Sequence, residues 1–130
     1  MIVLDASAAL ELLLATPRGR RVARRIASPE ETLHAPHLID LEVAQVLRRY
    51  VDRGALGEER ARQALGDLLD LDLARYPHEI FLRRIWDLRH NATAYDASYL
   101  SLAEALGAPL LTADSRLADV PGTEARVEVI

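Results

Sequence analysis

The sequence predicts an α/β fold, a three-layer sandwich in which helices flank a short, mostly parallel sheet. Short apolar strands alternate with longer helical segments along the whole chain, a pattern typical of parallel βα units. Four acidic residues, Asp5, Glu42, Asp96 and Asp114, lie at the ends of apolar segments. Because ligands bind beyond the carboxyl ends of parallel strands, these acids indicate a site at one edge of the sheet.

The composition narrows the chemistry that this protein can perform. The 130 residues predict a single domain, residues 1–130, with a buried core. There is no cysteine, and all 16 basic residues are arginine, which excludes disulfides, thiolate sites and lysine-dependent reactions. The net charge of −4 gives no overall sign of nucleic-acid binding. No apolar run reaches the roughly 20 residues of a membrane helix, so we expect a cytoplasmic protein without membrane contact.

The first half of the chain contains two predicted strands and four predicted helices. The strands are residues 2–5 and 32–35, and the helices are residues 6–15, 18–27, 36–53 and 57–71. Thr16 and Pro17 separate the first two helices. Pro36 is predicted in the first turn of the third helix, where its missing N–H is tolerated, and Gly54 ends that helix.

The second half repeats the alternation with three strands and two helices. The strands are residues 74–76, 110–112 and 126–130, the helices are residues 78–89 and 93–106, and a short helical turn covers 115–118. Gly107 supplies a left-handed cap for the last helix, and Pro109 prevents its continuation. Every predicted strand after the first follows a helix, as parallel strand connections require.

Each of the four acids also has a purely structural explanation. Asp5 and Asp114 could cap the helical turns that follow them, with Ser7 as a competing cap near the first. Asp96 follows Thr93 by three residues, the spacing of a capping box. A solvent-facing helix position would explain Glu42 equally well.

Taken together, the four acids favour a shared site. Glu42 sits in an apolar neighbourhood, where an idle carboxylate is costly, although Asp40 is a rival on the same helix and faces another direction. Carboxylates held close together repel one another, and a divalent cation relieves that repulsion. Ligand sets made only of oxygen suit Mg²⁺ or Mn²⁺. The acids therefore predict a metal-dependent phosphoryl-transfer site.

The chain resembles a PIN-domain ribonuclease, specifically the VapC-type toxin of a bacterial VapBC toxin–antitoxin system. The resemblance spans nearly the whole chain, including the helical turn at Gly54. The segments that carry it are Ile2-Val3-Leu4-Asp5-Ala6-Ser7, Leu41-Glu42-Val43, Thr93-Ala94-Tyr95-Asp96-Ala97-Ser98-Tyr99-Leu100 and Pro109-Leu110-Leu111-Thr112-Ala113-Asp114. No single segment is very specific, but four in this order and spacing are.

The resemblance implies a site, a reaction and partners. Asp5, Glu42, Asp96 and Asp114 would be the catalytic metal ligands for Mg²⁺ or Mn²⁺, supported by Ser7 and Thr112, whereas Asp119 is expected to be a surface acid. A metal-activated water would cleave RNA to leave a 5′-phosphate and a 3′-hydroxyl. The implied partners are an RNA substrate, a cognate VapB-type antitoxin that blocks the acidic crevice, and a second copy in a homodimer.

The sequence does not decide which residues contact a protein partner or the RNA. Leucines of the first helix and of the hairpin around Gly54 could meet a partner or fill the core, and Trp86 could do either. These leucines are Leu10, Leu13, Leu14, Leu65, Leu68 and Leu69. Arginines that could grip phosphates form two groups: Arg18, Arg20, Arg21, Arg24 and Arg25, and Arg48, Arg49 and Arg53. The four histidines, His34, His37, His78 and His90, show no pairing pattern, and surface or capping roles are expected for them.

Two other functions compete with the ribonuclease. A haloacid-dehalogenase-like phosphatase also begins with a strand followed by an aspartate and uses Mg²⁺. It commonly needs a second acid two residues later and a lysine, whereas this chain has Ser7 at that position and no lysine. The other alternative is a PIN module that binds RNA or a partner without catalysis.

Overall fold

The computed structural model describes all 130 residues and contains one sheet of five parallel strands. The strands are β1 (Ile2–Leu4), β2 (Leu33–Pro36), β3 (Leu73–Tyr76), β4 (Leu110–Thr112) and β5 (Val127–Val129). Their spatial order is β3-β2-β1-β4-β5, and every neighbouring pair is parallel. The predicted parallel sheet is confirmed.

Six helices cover this sheet in two groups. The helices are α1 (Ala6–Leu13), α2 (Pro17–Arg25), α3 (Leu38–Asp52), α4 (Glu58–Asp70), α5 (Leu82–Asp87) and α6 (Ala94–Leu106). Helices α1 to α4 pack on one another, while α5 packs on α6 and α6 lies against β1, β2 and β4. The predicted three-layer α/β sandwich is therefore confirmed. None of the six helices has the length and apolar composition that a membrane-spanning segment needs.

Two predicted helix starts differ from the structure. Pro36 is not in the first turn of α3 but is the last residue of β2, in register with Tyr76 of β3. The extended backbone before and at a proline suits a strand end, and α3 begins two residues later. The predicted helix 78–89 is a 3₁₀ turn at Glu79–Phe81 followed by the short α5.

The central strand explains why the sheet forms the core. Ile2, Val3 and Leu4 of β1 are completely buried, as a strand covered by helices on both faces requires. They belong to a cluster of 29 buried apolar residues that draws on all six helices. Tyr99 and Leu102 of α6 pack into the same cluster from the other layer.

The strand order creates a crevice at one edge of the sheet. From β1 the chain proceeds outward to β2 and β3, and it then returns to place β4 and β5 on the other side. The direction of winding thus reverses between β1 and β4. Ligands bind at this kind of switch point, beyond the carboxyl ends of the strands. Asp5 directly follows β1, and Asp114 follows β4 after one intervening residue.

Candidate active site

All four predicted acids line one cavity of about 710 Å³. Asp5 and Asp114 reach it from the ends of β1 and β4. Glu42 reaches it from the second turn of α3, and Asp96 from the first turn of α6. The structure therefore brings together side chains that are up to 109 positions apart in the sequence, from Asp5 to Asp114.

Asp5 is the most buried of the four acids and is held by three donors. Its Oδ1 accepts hydrogen bonds from the Ala8 backbone N–H at 2.9 Å and from the Ser7 hydroxyl at 2.7 Å. Its Oδ2 accepts one from the Thr112 hydroxyl. Burial raises the pKa of the Asp5 carboxyl, and the donors from Thr112, Ala8 and Ser7 oppose that rise. Asp5 thus caps α1 and also has its carboxylate fixed at the cavity.

Ser7 and Thr112 connect the ends of β1 and β4. Their hydroxyl oxygens lie 3.2 Å apart. Ser7 Oγ accepts a hydrogen bond from the Ala113 N–H at 2.9 Å, and Thr112 Oγ1 accepts one from the Asp114 N–H at 2.9 Å. Because both hydroxyls also donate to Asp5, the two strand ends share one polar network.

Glu42, and not its rival Asp40, faces the cavity. Glu42 Oε1 accepts a hydrogen bond of 2.7 Å from the Tyr99 hydroxyl of α6. Asp40 faces another direction, and Arg75 of β3 binds it with Nε 2.8 Å from Oδ2 and Nη2 2.9 Å from Oδ1. The expectation that these two acids point in different directions is confirmed. Burial raises the pKa of Glu42, and repulsion by Asp96 and Asp5 adds to the rise.

Asp96 is the acid that interacts with all three others. Burial raises the pKa of its carboxyl, and repulsion by Asp114 raises it further. Asp96 in turn raises the pKa values of Asp5 and Glu42. Thr93, and not Asp96, is the N-cap of α6, since its hydroxyl accepts the Asp96 N–H at 3.1 Å. The cavity is therefore a region of concentrated negative charge.

Asp114 has a neighbouring cation that the sequence did not suggest. Arg116 donates to it from Nε to Oδ1 at 3.0 Å and from Nη2 to Oδ2 at 2.7 Å. This guanidinium lowers the pKa of the Asp114 carboxyl. Asp114 also caps the 3₁₀ turn at Ser115–Asp119 by accepting the Arg116 N–H.

The donor chemistry of the cavity fits a hard divalent cation, but the side chains are not preassembled around one point. No three acidic or histidine side chains are close enough, as placed, to hold one metal ion. Asp5 is turned toward Ser7 and Thr112, Glu42 toward Tyr99, and Asp114 toward Arg116. The repulsion among the acids is the charge imbalance that a cation would relieve.

Histidine chemistry has no support in this cavity, which no histidine lines. His34 is neither a surface nor a capping residue, contrary to expectation. It is buried in β2, with Nδ1 2.7 Å from the Tyr76 hydroxyl and Nε2 2.7 Å from the Thr32 hydroxyl.

The structure also sorts the residues whose roles the sequence left open. Leu10, Leu13 and Leu68 are buried in the core, whereas Leu69 is 76% exposed. Trp86 is 66% exposed and stacks with Arg89, so it is not a core residue. Asp119 is exposed, as expected.

Comparisons with known proteins agree on one family. A model of the PIN domain matches residues 2–123. Ribonuclease VapC9 of Mycobacterium tuberculosis (strain ATCC 25618 / H37Rv) is 46% identical over 130 residues, covering 100% of this chain and 98% of the relative. The crystal structure of PAE2754 from Pyrobaculum aerophilum superposes with a TM-score of 0.72 at 26% identity, covering 98% of this chain and 83% of that one. VapBC2 from Rickettsia felis, bound to a promoter DNA fragment, gives a TM-score of 0.74 at 15% identity, covering 100% and 99%.

Proposed function

The chain belongs to the PIN-domain family, among its VapC ribonucleases, and we propose that it is an endoribonuclease that acts as the toxin of a toxin–antitoxin pair. The observation that carries the proposal is the convergence of Asp5, Glu42, Asp96 and Asp114 on one cavity at the switch point of the sheet. We also propose that residues 1–130 form one domain, which is supported by the single apolar cluster that joins the strands and helices.

The four acids are proposed as ligands of Mg²⁺ or Mn²⁺. A cation bound there supplies charge neutralisation at the scissile phosphate and an activated water for attack on phosphorus. Asp96 lies among them in the cavity, since its charge raises the pKa values of Asp5 and Glu42 and the charge of Asp114 raises its own. Ser7 and Thr112 fix Asp5, and Tyr99 fixes Glu42, so that these carboxylates keep one orientation.

The phosphatase alternative requires Asp5 to attack a phosphate covalently. Asp5 is only 5% exposed, and both of its oxygens accept hydrogen bonds. The second acid that such phosphatases need is replaced by Ser7, whose hydroxyl donates to Asp5. The geometry therefore favours a supporting role for Asp5 over a nucleophilic one.

The partners follow from the family. We propose that a VapB-type antitoxin covers the acidic cavity and that the RNA substrate is met in the cytoplasm, where RNA is translated. We also propose a homodimer through the apolar side chains beside and on α5, where Ile80, Leu82 and Trp86 are more than half exposed. Light scattering of the protein and of a Trp86→Ser variant tests this interface, and an unchanged mass would contradict it.

The test of the function is cleavage of a mixed RNA pool that includes tRNA. The wild-type protein, Asp96→Asn and the exposed control Asp119→Asn are compared with Mg²⁺, with Mn²⁺ and with EDTA. We expect metal-dependent cleavage that leaves 5′-phosphates, is lost in Asp96→Asn and persists in Asp119→Asn.

Two results would contradict the proposal. Cleavage that persists in EDTA or in Asp96→Asn would exclude the acidic site as the source of the activity. Absence of cleavage under every condition would favour the non-catalytic binding module. A thermal unfolding measurement with added metal separates these cases further, because a cation that binds the folded site raises the melting temperature.

A further inference from the structure

The cavity that holds the four acids extends along one face of α3. Glu42, Gln45 and Arg49, with Arg53 just after the helix, all line it. These positions recur every three or four residues and therefore share one helix face. At the rise of an α-helix, Glu42 and Arg53 are separated by roughly 16 Å along the axis. Along this helix face the cavity is thus acidic at Glu42 and basic at Arg49 and Arg53, while Glu11 and Arg116 line it from other elements.

The two arginines at the basic end carry uncompensated charge. Arg49 and Arg53 are exposed, and neither takes part in any of the molecule's ion pairs. Cations near a helix C-terminus also interact favourably with the helix dipole. That effect applies equally to Arg48, which occupies the same turn but does not line the cavity. The helix dipole accounts for arginines in this turn, but it does not account for the position of Arg49 and Arg53 in the cavity that holds the acids.

We propose that Arg49 and Arg53 bind backbone phosphates of the RNA strand a few nucleotides away from the scissile phosphate. This inference rests on the proposed function, which places the scissile phosphate at the acidic end. A strand leaving that end along α3 reaches both guanidinium groups. At the roughly 3.4 Å per phosphate of a stacked strand, the path holds at most about five phosphates. The two arginines would determine which nucleotides beside the scissile phosphate are bound by the protein.

The proposal is tested by RNA binding of Arg49→Gln, Arg53→Gln and the double variant. Arg48→Gln is the matched control, because it removes the same charge from the same helix turn outside the cavity. The probe is a fluorescein-labelled single-stranded RNA of about 12 nucleotides, within the footprint range of single-strand sites. Anisotropy is recorded at several NaCl concentrations with Ca²⁺ present, and thermal unfolding verifies that each variant is folded.

We expect each cavity-lining variant to weaken binding by about fivefold at low salt and to reduce the slope of log K against log salt by about 0.7. The double variant should lose about twice that slope, whereas Arg48→Gln should bind within about twofold of wild type. Equal weakening by Arg48→Gln would overturn the proposal in favour of diffuse charge. A double variant that binds RNA like the wild type would also overturn it and would leave an acidic segment of the protein partner as the occupant.

Failure of this inference is distinguishable from failure of the proposed function. If the wild type cleaves RNA but the variants at Arg49 and Arg53 behave like Arg48→Gln, only the phosphate contacts are wrong. If the wild type neither binds nor cleaves RNA, the proposed function fails and the inference fails with it.

Discussion

Arg116 holds Asp114 through two parallel hydrogen bonds, at 3.0 Å from Nε to Oδ1 and at 2.7 Å from Nη2 to Oδ2. The guanidinium side chain is 87% exposed, whereas the carboxylate is 25% exposed. Both residues line the cavity that contains the other three acids. Asp114, a proposed metal ligand, is therefore already paired with the guanidinium cation of Arg116.

Arg116→Gln should increase the affinity of the cavity for Mn²⁺ by about two- to fivefold, because an exposed ion pair competes only modestly. The measurement is the Mn²⁺ concentration that gives the half-maximal rise in melting temperature. Arg83→Gln is the control, since Arg83 is exposed, forms none of the ion pairs and does not line this cavity. A lower Mn²⁺ affinity in Arg116→Gln would mean that Arg116 organises Asp114 for the cation instead of competing with it.

Tyr99→Phe should lower metal-dependent cleavage by about tenfold, because removing a group that orients a metal ligand has effects of this size. The hydroxyl that donates to Glu42 disappears while the buried ring remains. The free energy of unfolding should fall by about 1.5–3 kcal/mol, the usual value for a hydrogen bond to a charged group. Tyr95→Phe, at an exposed ring of the same cavity, should change neither quantity. Full activity in Tyr99→Phe would show that Glu42 needs no orientation.

Glu104 should make stability depend on pH in the acid range. Arg84 donates to it at 2.8 Å and 3.0 Å, and together with the Thr123 hydroxyl and the Glu124 N–H it lowers the pKa of Glu104 from 4.5 to about 2. Because the folded pKa is the lower one, the stabilisation is complete above about pH 4.5 and is lost as pH falls toward 2.

Glu104→Gln should therefore reduce the free energy of unfolding by about 2 kcal/mol at pH 7. The difference between this variant and the wild type should shrink toward zero near pH 2, as measured by urea unfolding at a series of pH values. Asp5, Glu42 and Asp96 have raised pKa values and contribute the opposite pH dependence, but both proteins share it and the difference cancels it. Glu30→Gln, at an exposed side chain, is the control. A difference that stays constant with pH would contradict the assignment to Glu104.

Two glycines should respond to alanine in opposite directions. A Cβ at Gly19 would lie 1.9 Å from the Glu11 carbonyl oxygen, so α2 could not keep its close approach to α1. Gly19→Ala should destabilise the protein by about 3 kcal/mol or more. Gly66 is exposed within α4 with nothing within 4 Å of an added Cβ, and Gly66→Ala should stabilise by about 0.5–1 kcal/mol. Thermal and urea unfolding of both variants measures this, and a tolerated Gly19→Ala would contradict the packing.

The sequence was a good guide to the elements of the fold because the relevant signals are local. The uninterrupted apolar run Ile2-Val3-Leu4 predicted a strand, which the structure has and buries completely. Gly107 predicted a left-handed helix end, which the structure has at φ +59°. Pro36 misled the prediction, because a proline fits a helix start and a strand end equally well. Pro36 belongs to the strand because it pairs with Tyr76 of β3. The two residues are 40 positions apart, so a local sequence pattern cannot predict this pairing.

The sequence by itself determined which carboxylates are available and that strand ends and helix starts carry them. The resemblance of the chain to PIN-domain ribonucleases added Ser7 and Thr112 as expected supports for these carboxylates. Only the tertiary structure decided that Glu42 and not Asp40 faces the cavity. The Tyr99 hydroxyl donates a hydrogen bond to Glu42, whereas Arg75 donates to Asp40 and holds it elsewhere. The roles of Arg49, Arg53 and Arg116 were also decided only by the tertiary structure, because the sequence does not distinguish them from the other exposed arginines. What distinguishes these three is the cavity wall they form with distant acids, and long-range packing alone creates that wall.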